Sequence, residues 1–300
     1  MSELVRIRRG TAVAEVSVLG ASLRGFWQAD RAYVVDRNAA GELPSAGKVM
    51  VPWPNRVAGG RWEHLGRARQ LEITEPARGN AIHGLAGAHA WTVIRHEREH
   101  VQLSTVVPEQ PGWPVPLRVS VHYSLDEHGL RVRHQLDNLG AQQVPVGLGT
   151  HPYLRADADA VLRVAAPSYQ PSDPATMLPE GAPRPVDGTA YDLRAGAAVA
   201  TLRGLGLDNA FGRCEPDDDG FVRHTLRGAA GGARLWADPA FRWVHVFIWR
   251  PESGDFALAV EPMTCPPDAL NSGVDLRILA PGEKWRVNWG IEPFALSVLS

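Results

Sequence analysis

Three short stretches set a titratable side chain that could do chemistry beside a proline or glycine: His151 in Thr150-His151-Pro152-Tyr153, His83 in Asn80-Ala81-Ile82-His83-Gly84, and Glu261 in Val260-Glu261-Pro262. Proline drives the residue before it into extended backbone, so His151 and Glu261 are aimed and not merely packed. An imidazole, with a pKa near ~6.5, gives and retakes a proton close to neutrality, and a carboxylate accepts one. Such a pair suits general acid–base work. The same three side chains offer N and O ligands that could hold zinc, but no H-x-H or H-x-x-x-H pair brings two of them together. A glycosidase needs two carboxylates flanking one bond, whereas the best partners for Glu261 here are histidines. Glu292 is a rival carboxylate, yet its register with Arg286 and Asn288 reads as a solvated face.

These groups need rigid elements to hold them. His151 follows Val144-Pro145-Val146-Gly147-Leu148, which reads as a buried strand stopping at Gly149, where the chain is free to turn. The clearest hairpin sets Arg118 to Leu125 against Leu130 to Leu136, with Asp126-Glu127-His128-Gly129 as the turn. Val119, Val121 and Tyr123 alternate there with polar residues, so one face is core and the other wet. Trp243 to Trp249 is apolar on both faces except at His245, as expected for a strand between two layers. Phe256 to Val260 leads into Glu261, and Trp285 to Ile291 alternates again. Pro167 to Pro185 carries no strand pattern and reads as a surface excursion or lid. No long amphipathic helix, repeat or linker interrupts this pattern. The fold predicted is all-β, one large antiparallel β-sandwich occupying residues 1–300 as a single domain.

The 31 Lys and Arg against 33 Asp and Glu give no strong field, so nucleic acid and an anionic membrane surface are not expected partners. A small neutral molecule fits better. No apolar run reaches the ~18 residues of a membrane span and the first residues hold no apolar leader, so a cytoplasmic chain is expected. Cys214 and Cys265 are too few and too far apart for a disulfide framework or a structural zinc site. Assembly state is not legible.

Five short motifs occur in the order found in the aldose 1-epimerase (galactose mutarotase) family. They are Pro52-Trp53-Pro54-Asn55-Arg56, Asn80-Ala81-Ile82-His83-Gly84, Thr150-His151-Pro152-Tyr153, Leu207-Asp208-Asn209-Ala210-Phe211, and Glu261-Pro262 with Pro267-Asp268-Ala269-Leu270-Asn271. The chain resembles that family over nearly its whole length. The resemblance implies a sandwich of the galactose-mutarotase type that binds a monosaccharide and interconverts its anomers with no metal or cofactor. It implies His151 as general acid and Glu261 as general base, with Arg56 and its neighbour Asn55, His83 and Asp208 binding the sugar. Pro52-Trp53-Pro54 before the Asn-Arg pair, Leu85 after the Ile-His-Gly motif, and Pro262-Met263 after Glu261 depart from the family pattern. These bear on which sugar is accepted more than on the chemistry.

Anomer exchange takes a proton from the anomeric hydroxyl and gives one to the ring oxygen, so the ring opens and recloses on the other face. A base and an acid are each worth about 10²–10⁴-fold in such a step. Two hydrogen bonds through one sugar place the carboxylate oxygen and imidazole nitrogen roughly 4–8 Å apart, with Pro152 and Pro262 just beyond strand ends. Trp53, Trp113 and Trp249 are candidates to stack on a pyranose, although most of ten tryptophans must be core. An epimerase for an anionic sugar, drawing on Arg56, Arg61, Arg78, Arg155 or Arg213, and a non-catalytic carbohydrate-binding sandwich remain as alternatives.

Overall fold

The computed structural model describes residues 3–38, 41–248 and 256–295. Strands dominate because apolar residues recur at every second position, which gathers them on one face of an extended chain. In Leu117–Leu125, Val119, Val121 and Tyr123 are buried while their neighbours are not, and in Leu130–Asn138, Val132 and His134 follow suit. The two strands pair from Leu117↔Asn138 to Leu125↔Leu130. Asp126 closes the turn by accepting from the backbone N–H groups of His128 and Gly129.

Among the described residues, one large sheet has twelve strands and the other nine. Their ladders are antiparallel. Ile7, Val16 and Leu258 of the larger sheet share one core with Leu103, Tyr123 and Trp289 of the smaller, and Tyr123 Oη donates to Ala21 O at 2.8 Å. The expected β-sandwich is the observed fold. Helices are short, the longer being Val199–Leu205, and no helix among the described residues is long and apolar enough to cross a membrane.

Some local expectations change. The strand before His151 is two pieces: Val144–Val146 pairs with Arg277–Leu279, and Gly149–Thr150 pairs with Val49–Met50 in the larger sheet. Gly149 is needed for close approach and not for a turn, because a Cβ there would lie 2.7 Å from Met50 and 2.8 Å from Pro54. Pro262 sits inside Phe256–Met263, not beyond it. Having no N–H, it gives up one ladder donor. The N–H groups of Val260 and Thr264 donate on the same side to Pro152 O and Leu148 O, and Pro262 falls in the gap between those partners. The stretch from Pro167 to Pro185 does hold two strands, Ser168–Tyr169 and Arg184–Pro185, each too short to leave a periodic signal. Trp249 lies outside the described residues.

Candidate functional site

Four neighbouring strands of the larger sheet carry the site: in spatial order Tyr153–Ala156, Phe256–Met263, Trp243–Ile248 and Asp208–Gly212. Leu154, Leu258, Val260, Val244, Val246 and Phe211 point into the shared core. The residues between them therefore face outward, away from the smaller sheet. Register arranges them in two rows across the strands, Tyr153, Ala259, Phe247 and Asp208 in one, Glu261, His245 and Ala210 in the other. His151 completes the second row. The pairs Tyr153↔Ala259 and Gly149↔Met263 share one register, and that register puts position 151 opposite 261.

Two chain segments from the first third of the sequence bound the site. Arg56–Val57 pairs with Ala81–Ile82, and the flanking Asn55 and His83 both adopt left-handed backbone, at φ 56° and 62°. His83 N–H donates to Asn55 O at 2.9 Å, joining the two strained residues. Such conformations cost of order 1–3 kcal/mol each and persist where surrounding structure enforces them. Gly84 follows because a Cβ there would sit 2.2 Å from Val51 O. Between these segments and the sheet lies a cleft of about 400 Å³ lined by Asn55, Arg56, His83, His151, Asp208 and Glu261, with His245, Glu75, Arg78, Tyr153 and Phe247 among the other walls. That size suits a small molecule, whose sites run to about 300–1,000 Å³.

At the floor His151 Nε2 and Glu261 Oε1 are 3.3 Å apart, and both residues are buried. Burial pushes the Glu261 carboxyl up to about 7 and the His151 imidazole down to about 3, since low polarity penalises either charge. His83 lies edge-on to His151, ring centroids 5.4 Å apart, and burial holds it well below the ordinary histidine range. His83 Nδ1, His151 Nδ1 and Glu261 Oε2 are buried without a hydrogen-bond partner among the described residues. Buried polar atoms are seldom left unpaired, and here three of them gather at one floor.

The walls are charged but matched. Arg56 holds Glu75 with two parallel bonds, Nε to Oε2 at 2.8 Å and Nη2 to Oε1 at 2.9 Å, the strong geometry for this pair. Arg78 Nη1 adds a third at 3.1 Å. Burial opposes the Glu75 charge, but the Arg56 guanidinium outweighs it and keeps the carboxyl below the usual range. The same contest at Asp208 ends the same way. Burial is overcome by the bond from His245 Nε2, 2.7 Å from Oδ1.

All six residues expected at the site line this one cleft. The separation of His151 and Glu261 differs from the expected 4–8 Å because the two are opposite on adjacent strands, where side chains meet directly. Trp53 and Trp113 pack against each other in the core, centroids 6.4 Å apart, and the aromatic walls are instead Tyr153 and Phe247. Arg61 is exposed and bonds Gln70. Arg155 and Arg213 do not line the cleft, whereas Arg78 does. Glu292 faces Arg234 on the other sheet. Asp268 shapes its loop, accepting from Ala58 N–H and from Asn271. Among the described residues no three His, Cys, Asp or Glu side chains are grouped to hold a metal ion. Sequence reasoning missed His245 and Glu75. A lone histidine in Trp243-Val244-His245-Val246-Phe247 was a visible signal, since a strand buried on both faces should carry no polar residue.

The chain is similar to known proteins over most of its length. The profile of the family Aldose 1-epimerase matches residues 3–292. The uncharacterized Escherichia coli protein YihR is 31% identical over 83% of this chain and 80% of its own. Galactose mutarotase of Rattus norvegicus is 31% identical over 76% of this chain and 65% of its own. A solved GalM/aldose epimerase homologue from C. elegans superposes with a TM-score of 0.84, covering 99% of this chain and 100% of that one, at 20% identity.

Proposed function

The chain belongs to the aldose 1-epimerase family, and from that premise we propose that it is an aldose 1-epimerase that interconverts the α and β anomers of a monosaccharide. The reading takes residues 1–300 as one domain, Glu261 and His151 as the catalytic pair, and Arg56, Asn55, His83 and Asp208 as sugar-binding groups. The observation that carries it is the contact of 3.3 Å between Glu261 and His151 at the buried floor of a polar cleft.

Burial favours the neutral pair, a protonated carboxyl beside a neutral imidazole. Moving that one proton across the contact gives carboxylate and imidazolium. The carboxylate takes the proton of the anomeric hydroxyl while the imidazolium gives its proton to the ring oxygen, and the bond from that oxygen to the anomeric carbon breaks. Rotation about the next carbon–carbon bond turns the other face of the carbonyl to the ring hydroxyl. Closure then returns both protons to where they began. No group is consumed, so one pair serves both directions. Arg56 and Asp208 orient hydroxyls through charge-assisted bonds.

Polarimetry or NMR exchange on freshly dissolved single anomers, over a panel of neutral and anionic aldoses, tests the proposal. Wild-type protein should speed equilibration of at least one sugar, and Glu261→Gln should not. A protein that binds sugars from the panel yet equilibrates none would be a carbohydrate-binding sandwich, and the proposal would fall.

A further inference from the structure

Asn55, His245 and Asp208 form a hydrogen-bonded chain whose direction is set by the backbone. Arg56 N–H donates to Asn55 Oδ1 at 3.0 Å, and Arg56 Nη1 approaches the same oxygen at 3.4 Å. Both are donors, so the amide oxygen must face Arg56 and the amide NH₂ is left for His245, its Nδ2 3.3 Å from Nδ1. An amide NH₂ only donates. His245 Nδ1 must therefore offer its lone pair, and the ring proton resides on Nε2, 2.7 Å from Asp208 Oδ1. Asn55 sits where it does because its backbone is left-handed, at φ 56°, a conformation asparagine tolerates better than most residues.

We propose that Asn55 selects the tautomer of His245, and that His245 is a positioning residue that occupies one oxygen of Asp208 and leaves the other as acceptor for a sugar hydroxyl. His245 is suited to this by place as well as by bonding. It stands opposite Glu261 on one side and Ala210 on the other, so it spans the distance between the strand of Glu261 and the strand of Asp208. It is buried, which removes competing water from the bond. An aspartate held by one bond from a side chain of fixed tautomer cannot rotate to spend both oxygens on the protein. The role of Asp208 toward sugar rests on the epimerase reading, whereas the tautomer of His245 does not.

The first test reads the tautomer directly and needs no activity. Long-range ¹H–¹⁵N spectra of the full chain near neutral pH, with the His245 ring assigned by its loss in His245→Gln, should show the proton on Nε2 and an unprotonated Nδ1. In Asn55→Asp, a carboxylate acceptor should draw a proton onto Nδ1. A wild-type ring carrying its proton on Nδ1 would overturn the tautomer selection. The second test reads the positioning role by kinetics on a sugar that the wild type accepts. His245→Gln, which keeps a donor for Asp208, should stay within about threefold in kcat/KM, while His245→Leu should lose about 10- to 100-fold, mostly through KM, as expected for a bond to a charged group. A leucine variant with unchanged KM, or equal losses in both variants, would overturn the positioning role even with the predicted tautomer in place. Failure to find any accepted sugar would count against the epimerase reading and leave the spectroscopic result standing.

Discussion

His151 Nε2 lies 3.3 Å from Glu261 Oε1, and the cause is register: the ladder that pairs Tyr153 with Ala259 and Gly149 with Met263 leaves 151 facing 261. Glu261 stands inside a strand and His151 in the two-residue link between Gly149–Thr150 and Tyr153–Ala156, so the register of the sheet fixes the pair, an arrangement that keeps reacting groups in place. Glu261→Gln should keep the fold and sugar binding while anomer exchange falls about 10²–10⁴-fold. Exchange near the wild-type rate would remove Glu261 from the mechanism.

The pair should also govern the pH profile. Burial raises the Glu261 carboxyl to about 7, so the shared proton is lost as pH climbs through that value. Values of kcat/KM should decline above about pH 7 because the pair then lacks the proton destined for the ring oxygen. A profile flat from pH 6 to 9 would contradict this.

The stability that Glu261 contributes should move in the same direction. A carboxyl whose folded pKa is raised above its unfolded value stabilises fully below that unfolded value, ordinarily 4.5 for glutamate, and loses the contribution as pH rises through about 7. The buried imidazoles of His151 and His83, held neutral in the fold, pull the other way because the unfolded chain binds more protons there, so the readout is a difference: the stability of wild type relative to Glu261→Gln should fall between about pH 5 and 8 in urea unfolding. Equal slopes in the two proteins would argue against a raised Glu261.

His151→Asn and Arg56→Ala should separate chemistry from binding. The first removes the acid and should lower kcat with little change in sugar affinity; the second removes a wall and should act mainly on KM. Arg56→Ala also leaves Glu75 with Arg78 and Asn80 as its remaining partners, so a lower unfolding midpoint is expected as well. Reversed kinetic effects would mean that the roles of the two residues have been exchanged.

The sandwich was legible because alternation is a local property, visible in Val119, Val121 and Tyr123 without any knowledge of partners. The six cleft residues were legible through short motifs around Asn55, His83, His151, Asp208 and Glu261. Register was not. Nothing in the sequence says that 151 will face 261, so the separation of that pair was inferred from a sugar-sized gap and came out too long. Glu75 was hidden for a similar reason, since its importance comes from reaching Arg56 across 19 positions. His245 stood out as the one polar side chain in an apolar run, but its meaning depends on two partners, Asn55 and Asp208, which are 190 and 37 positions away.

The row that holds Glu261 has a consequence for biosynthesis. Its strand joins the larger sheet between Tyr153–Ala156 and Trp243–Ile248, so a chain emerging from the ribosome must keep a place open for a strand that arrives last of the four. The pairing with Tyr153–Ala156, far apart in sequence, is slow to close, while the hairpin from Leu117 to Asn138 needs only its own turn. A nascent chain ending before Glu261 would carry His83, His151 and Asp208 but leave strand edges unpaired, two beside the missing strand of Glu261 and two beside the missing Lys284–Phe294 of the smaller sheet, the kind of surface that invites association with other chains. Chains stalled at that length should accordingly depend on chaperones more than the full chain does, and a fragment ending near residue 250 compared with the full chain would show the contrast.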